Sequence, residues 1–333
     1  MFAVAAVIFA GGCSHPPVPH PVPLTENAHF REHAEILKKT LSPLRMAGAF
    51  VSPETYESYR YTPEELVRRL RMTGITQVYL QTEGYEVEDF GKEFPGFLKT
   101  LRNAGIPVWI AISDHIIYEK PQESFVYLST LAHDYDKHLY QRIADFSAVD
   151  NVFGIALALT PHINSSLRRR GLYSWSESTY GIGGDNDQLI RQSIKLAADI
   201  RRKFRSKPLA LIIPEFYHGK AAAGELSAGR IADFLPLADQ LVVTAFDDRL
   251  EGHTASLRPQ LEEAASLGKQ LVVCLPAGYH LQSRRFRSLG DATFGGFMNR
   301  LSLELRNIQN EFGLGGLAFM NFRGVEILLE KPE

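Results

Sequence analysis

Residues 240–275 read QLVVTAFDDRLEGHTASLRPQLEEAASLGKQLVVCL, and the reading of this stretch decides the fold. Two short apolar runs, 240–245 and 270–275, are separated by enough chain for one helix plus turns. The connection closes on Leu267–Gly268–Lys269, a helix end whose glycine can take positive φ and lead straight into the next strand. Parallel strands need such a crossover, so this is one strand, helix, strand unit. Working outward, the same beat returns about eight times, at 46–51 (MAGAFV), 77–81 (QVYLQ), 108–113 (VWIAIS), 152–159 (VFGIALAL), 209–213 (LALII), 240–245, 270–275 and 316–321 (GLAFMN). A parallel βα unit repeated eight times predicts an α/β fold, a single-domain (β/α)8 TIM barrel. In that architecture the residues just past the strand ends share one concave face where chemistry or ligand binding sits.

The length of 333 residues suits one such domain after a preamble, and 45% hydrophobic with 22% charged residues suits a large buried core. The formal net charge of −2 gives the whole chain no long-range attraction for nucleic acid or anionic lipid, and no nucleic-acid partner is expected. The basic clusters Arg168–Arg170 and Arg284–Arg287 read as solvated loop faces.

The preamble carries its own message. Residues 1–10 are uncharged and apolar, and Gly11–Gly12–Cys13 resembles the cleavage box of a bacterial lipoprotein. The run is too short to span a bilayer, which needs about 20 residues. The resemblance implies a signal peptide at 1–12, a lipid anchor at Cys13, and, with Ser14 following, residence at the outer membrane facing the periplasm. PPVPHPVP at 16–23 is a polyproline II rod of about 3 Å per residue, so 13–26 is read as a tether and 27–333 as the barrel. With Cys13 acylated, Cys274 has no intrachain partner and reads as a buried small hydrophobe.

Local punctuation supports the repeat. Residues 27–42 carry helical spacing through Phe30, Ala34, Leu37 and Leu41, predicting a helix that plugs the barrel bottom or joins the first strand. Thr62–Pro63–Glu64–Glu65 predicts an N-cap, a first-position proline and acids in the first turn. Gly74 and Gly105 mark helix ends before strands two and three.

The strand tips supply the candidate site. Acids are Glu83 after strand two, Asp114 after strand three, Glu215 after strand five, and Asp247 and Asp248 after strand six. His162, Tyr217, Tyr279, Asn321 and Arg323 stand at other tips. The long polar segment 160–187 holds Tyr173, Tyr180 and Trp175, one of two tryptophans in the chain, and reads as a lid or subsite wall. Carboxylates facing each other over an apolar floor suit glycosidic bond cleavage, one acid protonating the leaving oxygen while another acts as nucleophile or base. Glu215 is assigned general acid and Asp247 nucleophile or base, with Asp114 and Glu83 as substitutes for either. Tyr217, Trp175, Tyr279, Asn321, Arg323, His162 and Asp248 are assigned to sugar binding.

Three segments carry a resemblance. VTAFD at 243–247 is similar to the sixth-strand segment of family 18 glycosidases, while MAGAF at 46–50 and GITQVYLQ at 74–81 look like bacterial glycosidase-like barrel lipoproteins. This implies a glycan-active periplasmic protein. Where family 18 carries an acidic fourth-strand signature ending in its catalytic Glu, this chain has GIALALTPH at 154–162, so substrate-assisted chitinase chemistry is not expected.

Other classes fail on specific residues. A metal-dependent amidohydrolase wants His-x-His where Phe50–Val51–Ser52–Pro53 stands. Gly181–Ile182–Gly183–Gly184 lacks the strand before it that a phosphate cradle requires. No metal and no cofactor are expected. The chain is therefore read as a monomeric glycoside hydrolase-like protein acting on an envelope or exported polysaccharide. The alternative is a barrel that binds a glycan, or scaffolds the envelope, without turning anything over.

Overall fold

A computed structural model describes residues 28–82, 85–112, 126–162, 173–176, 180–245, 254–277, 293–308 and 310–331; of residues 28 and 126–136 it describes the backbone alone. Eight parallel strands close into a barrel in chain order, with the last pairing back onto the first. They are β1 Ala47–Val51, β2 Gln77–Gln81, β3 Val108–Ile112, β4 Gly154–Ala158, β5 Leu209–Pro214, β6 Gln240–Thr244, β7 Leu271–Pro276 and β8 Leu314–Met320. This is the expected (β/α)8 architecture, with each apolar run in its strand to within two residues.

Alternation along the strands builds two cores. Phe50, Tyr79 and Trp109 fill the barrel from one side, and Ala111, Ala156, Ala158, Ala210 and Ala318 leave them room on the other. Gly154 is required at its position: a Cβ there would lie 2.7 Å from the Trp109 ring and 2.6 Å from the Pro208 carbonyl oxygen. Cys274 lies in this inner cluster, and burial pushes its thiol well above the ordinary range, as suits an inert hydrophobe. Tyr79 Oη and Gln77 Nε2 both donate to Gln240 Oε1, at 2.6 and 3.0 Å, giving the interior a polar crosspiece.

The opposite strand faces pack beneath a jacket of helices: α1 Ala28–Leu41, α2 Pro53–Tyr59, α3 Pro63–Thr73, α4 Phe94–Asn103, α5 Val126–Ala148, α6 Asp185–Lys203, α7 Phe216–Ala222, α8 Ile231–Phe234, α9 Arg258–Ser266, α10 Phe294–Ile308 and α11 Phe322–Leu329. Gly74, Gly105 and Gly268 take positive φ at helix ends, as expected. Thr62 precedes a first-position proline but makes no side-chain cap bond, so Pro63 and the first-turn acids mark this start without the predicted cap.

Helix α1 leads into β1, as one of the two expectations had it, but it does not plug the barrel bottom. It lies on the jacket against α3 and α11, because its apolar stripe finds a ready groove there. Phe30 packs under the Arg69 guanidinium, His33 Nδ1 lies 2.9 Å from the Leu329 carbonyl oxygen, and the His33 ring stacks on Phe294 at 3.8 Å.

Beneath α1 lies an ionic knot. Arg69, 1% exposed, reaches Glu326 Oε1 at 3.1 Å and Glu65 Oε1 at 2.9 Å, while the Tyr59 hydroxyl also donates to Glu326. Burial of charge is tolerated here because each group is answered by several partners. The jacket helices return toward the amino-terminal face, and their last turns carry Lys38, Lys39, Arg71, Arg102, Arg201, Arg202, Lys203 and Arg306. Cations at these ends complement the helix dipoles.

Candidate active site

The carboxyl ends of the strands form the mouth. Among the described residues, none of the eight strands carries a carboxylate or a histidine along its length, and β4 contributes only Gly154, Ala156 and Ala158 inward. Any acid or base must therefore stand beyond a strand end. Glu83, Asp114, Asp247, Asp248 and Tyr279 lie outside the described residues, as do Cys13 and the tether. Glu215, Tyr217, Trp175, His162, Asn321 and Arg323 are described.

Glu215 follows β5 directly and is 3% exposed. Its backbone N–H donates to the Thr244 carbonyl at 3.2 Å, extending the β5–β6 ladder by one rung. Its Oε2 accepts from Ser256 Oγ at 2.8 Å, and its carbonyl oxygen accepts from Gln260 Nε2 at 3.1 Å. The segment entering α9 thus folds over this carboxylate and fixes its orientation. Pro214 and Thr244 are register partners, so the β5 and β6 tips are adjacent, and Asp247 follows Thr244 by three residues.

His162 lies one turn past β4, with Nδ1 3.0 Å from Tyr217 Oη. Its ring meets Trp175, Phe216 and Tyr217 edge-on. Burial holds its pKa down at about 4, so the imidazole is neutral at physiological pH. A neutral imidazole here donates to or accepts from the Tyr217 hydroxyl according to its tautomer, and so positions that hydroxyl without carrying charge.

Trp175 and Tyr217 depart from their expected roles as sugar contacts. Trp175 is 2% exposed, and its ring is covered by Tyr180, Phe216 and Tyr217, so it does not present a face to solvent. Tyr217 is fully buried in the same aromatic layer. The described part of the supposed lid is pinned: Ser176 N–H donates to Asn186 Oδ1 at 2.9 Å, Asn186 Nδ2 donates back to the Ser176 carbonyl at 2.7 Å, and Ser174 N–H donates to Asp185 Oδ2 at 3.2 Å. The first turn of α6 therefore clamps this segment. Gly183 belongs to the same turn and donates to Asp187, as do the N–H and hydroxyl of Ser227. Burial alone would raise the Asp187 carboxyl, but these bonds outweigh it and hold the group below the usual carboxylate range.

Asn321 and Arg323 are likewise engaged. Asn321 caps α11, its Oδ1 accepting from Gly324 N–H at 2.9 Å, and Arg323 Nη1 reaches Glu326 Oε2 at 3.4 Å. Both side chains anchor the start of α11 rather than reaching across the mouth.

Sequence reasoning missed Arg142. It lies on the buried face of α5 with Leu139, Ile143 and Phe146, and is itself 1% exposed. Nη2 donates to Thr82 Oγ1 at 2.8 Å and to the Tyr85 carbonyl at 3.0 Å, while Nε lies 3.5 Å from Glu86 Oε1. It grips the chain on both sides of residues 83–84. An arginine in register with an apolar helical stripe was the available signal. Among the described residues, no group of three or more His, Cys, Asp or Glu side chains is placed to hold a metal, and no helix is long and apolar enough to cross a membrane.

No protein-family model matches the chain, and no curated protein matches it. Solved structures do. The C-terminal domain of a Desulfitobacterium hafniense protein designated a chitinase is similar at a TM-score of 0.53 and 12% identity, over 86% of this chain and 98% of that one. A GH18 chitinase from Pseudoalteromonas aurantia is similar at a TM-score of 0.50 and 11% identity, over 85% and 97%. The chain thus has a barrel fold distantly like that of GH18 chitinases.

Proposed function

We propose that this chain is a glycoside hydrolase-like protein that takes an envelope or exported polysaccharide across the carboxyl mouth of its barrel. The observation that carries the reading is Glu215, a buried carboxylate directly after β5 on a tip adjacent to the β6 tip from which Asp247 follows in sequence; it keeps the outward parity of Leu211 and Ile213 and is bonded to Ser256, so the reading requires this carboxylate to turn into the mouth. Under this reading Glu215 protonates the leaving oxygen and Asp247 acts as nucleophile or activates water. The likeness of the fold to chitinase barrels supports a sugar polymer as substrate class, and the absence of an acid on β4 argues for a carboxylate pair different from theirs. The same proposal places the chain at the cell envelope on a lipid at Cys13.

One observation favours a second reading, a glycan-binding barrel without turnover. The inner face of β4 is Gly154, Ala156 and Ala158, and Glu215 is already engaged by Ser256. Purified protein incubated with bacterial polysaccharides separates the two by appearance of new reducing ends. Release of ends supports the hydrolase, saturable binding without release supports the second reading, and the absence of both release and binding overturns both.

A further inference from the structure

The net charge of −2 conceals a segregated surface. Because all eight strands run parallel around a closed barrel, the loops entering them share one face. Arg45 before β1, Arg102 before β3, Arg205 before β5 and Lys269 before β7 stand exposed on it. Arg45 donates to Gln270 Oε1 at 2.9 Å and Arg102 to Asn151 Oδ1 at 3.0 Å, both neutral acceptors that leave the charge in place. Of the acids on this face, Asp239 is held by Arg201 at 2.9 Å, Glu311 shares Arg258 with Glu262, at 3.6 and 3.1 Å, and Asp150 is exposed, so the cations outnumber them.

Helix dipoles account for cations here, but not for apolar rings. Phe312 is 90% exposed, Leu267 49% and Phe153 46%, all on the same face. The turn bearing Phe312 is fixed in place: Leu314 N–H donates to the Glu311 carbonyl at 3.0 Å, Leu271 N–H donates to the Gly313 carbonyl at 2.7 Å, and a Cβ on Gly313 would fall 2.0 Å from the Leu261 carbonyl oxygen. Seated this tightly on α9, the turn can only project its ring outward. Phe312, Arg45 and Lys269 line one hollow of about 550 Å³, and Phe153, Arg102 and Lys207 line another of about 610 Å³ across the face.

We propose that this amino-terminal face docks on an anionic lipid surface. Arg45, Arg102, Arg205 and Lys269 meet phosphate headgroups while Phe312 enters the interfacial layer, the pairing of cations with exposed aromatic side chains that such surfaces select. The proposal is independent of the mouth chemistry. It turns the mouth away from the membrane, toward soluble or peptidoglycan-side polymer.

Flotation of the Cys13→Ala protein, which cannot carry the proposed lipid and serves as parent for the variants below, with phosphatidylcholine vesicles, with and without phosphatidylglycerol, tests it. Binding is expected only with the anionic lipid and is lost at high salt. Arg45→Glu with Lys269→Glu, and separately Phe312→Ser, should each weaken it by about tenfold or more at unchanged Tm. Equal binding to both vesicle types, absence of binding, or variants that bind like the parent would overturn the proposal. Loss on charge reversal but not on Phe312→Ser would also overturn it, pointing to a soluble polyanion. A dimer in light scattering that dissolves on Phe312→Ser would overturn it in favour of a contact between copies.

Discussion

Arg142 Nη2 donates to Thr82 Oγ1 at 2.8 Å, joining α5 to the tip of β2 across 60 residues of chain. The guanidinium is buried; Nη2 also donates to the Tyr85 carbonyl, and Nε lies 3.5 Å from Glu86 Oε1. A planar fork reaches all three from one position, which a compact ammonium does not. Arg142→Ala should therefore lower unfolding free energy by about 2–4 kcal/mol, and Arg142→Lys should recover less than half of that. Urea melts of the two variants check it; an Arg142→Lys protein as stable as the parent contradicts the fork argument.

The knot of Tyr59, Arg69 and Glu326 makes a second prediction. Glu326→Ala removes the buried partner of Arg69, leaving Glu65 at 2.9 Å and Glu330 at 4.0 Å, and should cost about 3–5 kcal/mol. The double change Arg69→Met with Glu326→Leu removes both charges together and should cost clearly less than Glu326→Ala alone. A double-mutant cycle by chemical denaturation decides it, additivity being the adverse result.

His162 makes a prediction in pH. Its folded pKa of about 4 lies below the ordinary 6.5, so between those values the unfolded chain holds more protons and stability rises with pH. The contribution is present in full above about pH 6.5 and is lost as pH falls toward about 4, up to about 3 kcal/mol in all. His162→Gln should flatten that limb of a Tm-against-pH curve. An unchanged limb would show that other groups, such as His218, produce it.

The anchor is tested directly by expression in a bacterium fed a labelled fatty acid. Label should enter the protein and be abolished by Cys13→Ala, with the protein shifting from the membrane to the soluble fraction. Labelling that survives the substitution contradicts acylation at Cys13.

The strands were legible because each is a short apolar run with a fixed period, and because Gly74, Gly105 and Gly268 end helices in a conformation that other residues resist. That Glu215 directly follows a strand was legible for the same reason. Trp175 was not. A tryptophan among Ser, Glu and Tyr reads as exposed until Asp185 and Asn186, ten or eleven residues on, are seen to clamp the Ser174 and Ser176 N–H groups on either side of it, with its ring against Phe216 and Tyr217. Asn321 and Arg323 sit at a strand tip, yet that tip is also the first turn of α11, and local capping claims them. Arg69, Arg142 and Glu326 are charges on buried faces, where sequence period alone assigns apolar residues. Net charge gave no hint of the basic face, since a sum over the chain erases position.

The most direct test of the proposed chemistry is turnover and binding measured together on Glu215→Gln and Asp247→Asn, with whichever polysaccharide the parent protein cleaves. The expected result is loss of kcat by about a thousandfold or more in each variant with Kd changed by less than about threefold, since an amide keeps shape but neither donates nor accepts the catalytic proton. Parent-like turnover in either variant would contradict the assignment of the β5 and β6 tips as the catalytic pair.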